Sequence, residues 1–63
     1  MINLKKIRQA RGLTQEGLAY FADISYNTLI KIERGGIKDP RVSTALSLAR
    51  VLNVTVEELC GEY

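Results

Sequence analysis

The sequence predicts an all-α protein of five short helices, and three observations carry that prediction. Apolar residues recur three and four positions apart, as in Leu4/Ile7, Leu18/Ala22, Leu29/Ile32 and Val42/Leu46/Ala49/Leu52. A hydroxyl residue that can accept from free helix N–H groups stands before three of these runs, at Thr14, Ser25 and Thr55. Residues that tolerate a left-handed backbone follow the runs, at Gly12, Gly35-Gly36 and Asn53.

In order, the helices are predicted at about 2–11, 15–22, 25–34, 42–52 and 56–60. The first buries Leu4 and Ile7, ends before Gly12, and carries Arg11 where a cation suits the C-terminal dipole. Leu13 then turns inward. Thr14 caps the second helix, with Glu16 in its first turn and Leu18, Ala19 and Ala22 on its inner face. Gly17 is unfavourable inside a helix by about 1 kcal/mol relative to Ala, so it either permits a close approach or is simply tolerated. Asp23-Ile24 makes the turn, Asp being one of the few side chains that accept a left-handed backbone. Ser25 caps the third helix, which buries Leu29 and Ile32 and stops at Gly35-Gly36. A loop runs to Pro40. The fourth helix turns Val42, Leu46, Ala49 and Leu52 or Val51 toward the core, and Thr55 caps a last short helix with Glu57 and Glu58 in its first turn.

At 63 residues the chain makes one domain, 1–63, too small for a deep catalytic cleft. It has no His, a single Cys and no acidic cluster, so neither a structural zinc nor any other metal or cofactor is expected. Nor is an enzyme, there being no nucleophile–base pair and no Gly-rich phosphate loop. One Cys also allows no internal disulfide. No apolar run reaches membrane-spanning length and the N-terminus lacks a signal-peptide core, so the cytoplasm is the expected location. Charge is uneven. All Lys and Arg lie between Lys5 and Arg50, and beyond them only Glu57, Glu58 and Glu62 are charged. A basic body of this kind suits a polyanionic partner, although an ordinary solvated surface has the same appearance.

The second and third helices, joined by a tight turn, form the informative unit. A helix that short is held by packing, so clamping it at a fixed angle lets its outer side meet a DNA groove as a rigid rod. That outer side holds Tyr26, Asn27, Ile30, Lys31 and Arg34.

The chain resembles the Cro and lambdoid-repressor type of helix-turn-helix domain, the XRE family. The resemblance runs through Leu4-x-x-Ile7-Arg8, Arg11-Gly12-Leu13-Thr14-Gln15, Leu18-Ala19, Ile24-Ser25, Ile32-Glu33-Arg34-Gly35, Pro40, Leu46-x-Leu48-Ala49 and Val54-Thr55-Val56-Glu57-Glu58-Leu59. It implies a five-helix, lambda-repressor-like fold that binds double-stranded DNA as a dimer and controls transcription.

By that resemblance Tyr26, Asn27 and Lys31 match positions that touch base edges. Asn can bond adenine twice and Lys can reach guanine acceptors, whereas Tyr26 meets either a base or a phosphate. Ile30 either meets a thymine methyl or sits as a rim residue. Gln15 matches a phosphate-contacting position at a helix N-terminus. Ser25 and Thr28 offer hydroxyls to phosphates, and Arg34, Lys38 and Arg41, with amides near Gly35 and Gly36, flank the backbone. Arg41 is also placed to enter a narrow minor groove. Arg8 and Glu33 match a structural ion pair.

The chain departs from the family pattern in three places. Asp23 replaces a turn Gly. Arg41 replaces a capping Ser or Thr, with Asp39 as a substitute cap. Tyr20 and Phe21 form either a partner surface or a partial cover for the core. Cys60 is read as a small apolar residue, with an intermolecular disulfide as the alternative. A homodimer is expected through the fifth helix, at Val54, Val56 and Leu59, with repression by occlusion of polymerase. The competing reading is a protein-interaction module, antitoxin-like or a co-regulator partner, built on the same fold.

Overall fold

The computed structural model describes residues 1–37 and 40–61, which form five α-helices and no strand. They are α1 (Leu4–Ala10), α2 (Gln15–Ala22), α3 (Tyr26–Glu33), α4 (Val42–Leu52) and α5 (Val56–Cys60). Lys38 and Asp39 lie outside the described residues, and with them the phosphate contact expected of Lys38 and the cap expected of Asp39.

Capping chemistry sets most boundaries. Thr14 Oγ1 accepts from Gly17 N at 3.0 Å, Ser25 Oγ from Thr28 N at 3.0 Å, and Thr55 Oγ1 from Glu58 N at 3.1 Å. Glu58 Oε1 answers by accepting from Thr55 N, completing a capping box. A Cβ on Gly17 would stand 3.1 Å from Thr14 Oγ1, so glycine clears space for the cap rather than for another backbone. Asp23 and Asn53 end α2 and α4, each at φ 57°, in the left-handed region. Arg41 precedes α4 without a side-chain cap.

α1 is shorter at both ends than the spacing predicts. Asn3 N donates to the Leu59 carbonyl at 3.0 Å, and Asn3 Nδ2 to the Glu58 carbonyl at 2.9 Å. The residue before α1 is thereby tied to the end of α5. At the other end Gly12, at φ +70°, turns Leu13 N back to the Arg8 carbonyl.

The core is one cluster of Leu4, Leu18, Ala19, Ala22, Leu29, Ile32, Leu48, Ala49, Leu52 and Leu59. Helix α2 lies at its centre, packed against both α3 and α4, while α5 joins α4 to α1. Two expectations are corrected here. Val42 (75% exposed) and Leu46 (50%) face outward, while Ala49 and Leu52 are buried as expected and are joined by Ala45 and Leu48. Both sets fit a helical period. Leu46 lies about 100° around the axis from Ala45, so the helix has two adjoining apolar sides, and packing on α2 chose one. Leu59 is fully buried, with no surface to give a second copy, while Val54 and Val56 are half-buried against the core. Tyr20 (80% exposed) and Phe21 (63%) do not cover the core; their rings meet each other edge-on at 5.4 Å.

Candidate nucleic-acid interface

Leu29 and Ile32 are buried beneath α3, and this fixes the roll of a helix too short to persist alone. With those two inward, Tyr26, Asn27, Lys31 and Arg34 are exposed, and Thr28 and Ile30 are half-buried at the flanks. The uncovered side is thus polar and basic, with one apolar rim residue. Nothing among the described residues lies over it.

Behind this surface is a buried polar brace. Arg8 Nε donates to Glu33 Oε2 at 2.7 Å, and the two side chains are 8% and 2% exposed. Arg8 Nη1 donates to the Leu13 carbonyl at 2.8 Å. One guanidinium therefore ties α1 to the turn before α2 and to the end of α3. Gln15 Nε2 donates to Glu33 Oε1 at 2.9 Å, and Gln15 Oε1 accepts from the Tyr26 hydroxyl at 3.5 Å. Among the described residues no buried side-chain nitrogen or oxygen lacks a partner, as a low-dielectric site requires. The place of Gln15 in this brace is not visible in the sequence. Arg11 stands at the C-cap of α1 as expected, and its Nε in addition donates to the Leu52 carbonyl at the end of α4.

The flanking groups are divided. Ser25 Oγ donates to Thr28 Oγ1 at 2.7 Å, so of the two hydroxyl hydrogens one lies between them and one is left for an outside acceptor. Arg41 is exposed and lines a hollow with Ile24, Ser25, Thr28, Ile37, Pro40 and Thr44, beside the start of α3. Arg34 is exposed at the far end. The amides of Gly35 and Gly36 are not available there, because they donate to the Ile32 and Lys31 carbonyls at 3.2 and 2.9 Å. Met1 and Ile2 lie across a second hollow from Ile32, Glu33, Arg34 and Gly35. No group of three or more metal-ligating side chains occurs among the described residues. No helix among them is long and apolar enough to cross a membrane.

Two helices clamped through a left-handed turn, with the second presenting an uncovered basic side, define a helix-turn-helix. The chain belongs to the XRE family of helix-turn-helix DNA-binding domains, and the family model described as Helix-turn-helix matches residues 4–59. Two relatives are named as uncharacterized HTH-type transcriptional regulators. RghRB of Bacillus subtilis (strain 168) is 43% identical over 56 residues, which cover 89% of this chain and 40% of RghRB. MJ0272 of Methanocaldococcus jannaschii is 38% identical over 56 residues, covering 89% of this chain and 83% of MJ0272. A chain of the SinR–SinI protein complex has the same fold, with a TM-score of 0.88 at 30% identity over 94% of this chain and 59% of that one. So does the N-terminal DNA-binding domain of SinR from Bacillus subtilis, with a TM-score of 0.86 at 28% identity over 90% and 83%.

Proposed function

We propose that the chain is a sequence-specific regulator of transcription that binds double-stranded DNA with α3 in the major groove, acting in the cytoplasm as a homodimeric repressor. The observation that carries this reading is the division of α3, with Leu29 and Ile32 buried and Tyr26, Asn27, Lys31 and Arg34 uncovered. The likeness to the SinR DNA-binding domain supports it. Asn27 and Lys31 take base edges, Asn suiting adenine and Lys guanine, and Ile30 stands at the rim for a thymine methyl. Phosphates are met by Arg34 and Arg41, by the hydroxyl hydrogen left on the Ser25–Thr28 pair, and by the second amide hydrogen of Gln15. Lys38 is added to this set from the sequence.

A homodimer suits an operator of two half-sites, because successive major grooves on one face of DNA are about 34 Å apart and each copy presents one α3. The surface that suits a second copy is the outward side of α4, where Val42 and Leu46 stand beside Met1, Pro40, Val56 and Cys60. Repression by occlusion asks nothing more of the fold than occupancy of the operator.

A second reading, a protein-interaction module, draws on the exposed Tyr20–Phe21 pair and on the likeness to a chain of the SinR–SinI complex. The deciding experiment is selection of bound duplexes from a random pool, followed by titration at several salt concentrations. Binding should weaken steeply with salt, and Arg34→Ala should lower the slope of log K against log salt by about 1. Salt-independent binding, or regulation that survives combined Asn27→Ala and Lys31→Ala changes, would favour the second reading.

A further inference from the structure

The outward side of α2 takes no part in the contacts with DNA described above. Tyr20 and Phe21 are successive, so they leave the helix about 100° apart, and both are exposed. Their rings meet edge-on, with centroids 5.4 Å apart and planes at 79°. An edge-on pair encloses a corner onto which one face of each ring looks. Helical side chains lean back over the preceding turn, and the residue between these two on that turn is Gly17, which puts no side chain into the corner.

The charge around the corner is negative. Residues 12–30 contain Glu16 and Asp23 but no Lys or Arg, in a chain whose net charge is +2. Glu16 is exposed four residues before Tyr20, and Asp23 is exposed at the C-cap. Helices α1, α3 and α4 each carry a cation in the last turn, where the helix dipole is negative. Helix α2 carries none there and ends on an acid instead.

We propose that this side of α2 docks a cationic segment of a second protein, with an arginine seated in the Tyr20–Phe21 corner. The faces of aromatic rings attract cations, and a planar guanidinium can stack on one ring while keeping N–H groups for Glu16. The same carboxylates repel phosphate, so the occupant is a protein rather than DNA. The inference goes beyond operator binding, supplies the partner chemistry for the protein-interaction reading, and does not require α3 to be in a groove.

The test is an NMR titration of the full chain, without DNA, using acetyl-Gly-Arg-Gly-amide and the same peptide with citrulline, the neutral isostere of arginine. The arginine peptide should shift the Tyr20 and Phe21 ring signals and the Gly17 amide saturably, and the citrulline peptide should not. Tyr20→Ala and Phe21→Ala, with folding checked by thermal melting, should each weaken the arginine peptide about threefold or more. Glu16→Gln should weaken it about twofold at low salt, and high salt should abolish that difference. Equal shifts with the two peptides, or undiminished binding by the Tyr20→Ala/Phe21→Ala double variant, would overturn the proposal. Displacement of the peptide by duplex DNA would overturn it by giving the surface to DNA. Concentration-dependent shifts of the same rings in the protein alone would overturn it by giving the surface to a second copy. Failure of the chain to bind DNA would reject the groove-binding reading and leave the peptide result standing.

Discussion

Arg8 concentrates the stability of the interface in one side chain. It is a buried cation that gives hydrogens to Glu33 and to the Leu13 carbonyl, so three segments meet on one planar group. Removing it strands the Glu33 carboxylate, of which only 2% is exposed. We expect Arg8→Met to lose about 3 kcal/mol in urea unfolding, a large share of what a domain this small has. Lysine should not restore it, having no fork to serve both partners. At this scale the sequence was only partly informative. The Arg8–Glu33 pair was suggested by the family pattern alone, since nothing in the residue types joins positions 25 apart in the chain. The engagement of Gln15 was not legible. An amide that donates to a carboxylate reads the same as one that donates to a phosphate, and only the fold brings Glu33 within reach.

The helices themselves were far more legible, because their limits come from local chemistry. Thr14, Ser25 and Thr55 bond backbone N–H groups within their own first turns, and such bonds need no tertiary context. The turn between α2 and α3 is equally local. Asp23 stands at φ 57°, where a β-branched residue is strained by about 1–2 kcal/mol and glycine is not strained at all. Asp23→Val should therefore lower the melting temperature by several degrees in a circular dichroism melt. Asp23→Gly should stay within about 0.5 kcal/mol of wild type, relief of strain being offset by a more flexible unfolded chain. Where local chemistry is silent, reading failed. α1 is cut short by Asn3 bonding to α5, a contact between opposite ends of the sequence. α4 carries two apolar sides, and its own period cannot say which one meets α2.

At the scale of the whole molecule, that second apolar side becomes the predicted contact between copies. Leu46 is half exposed and outside the core cluster, so Leu46→Asp should fold normally. It should sediment as a monomer, and it should bind a duplex with two half-sites about tenfold or more weakly than wild type while binding a single half-site equally well. An unchanged dimer would move the interface elsewhere. The sequence pointed to α5 for this role because Val54, Val56 and Leu59 stood out as apolar there. Burial of Leu59 removes that residue from the contact, and the exposure of Val42 and Leu46 shifts the candidate surface from Val56 onto α4.

The hollow that Met1 and Ile2 share with Ile32–Gly35 has a practical consequence. An affinity handle or fluorophore fused ahead of residue 1 would emerge next to Arg34, close enough to jostle an incoming duplex. Dissociation constants from such a fusion would then report partly on the handle, and a basic purification tag there would lower them, in the direction of tighter, less discriminating attachment.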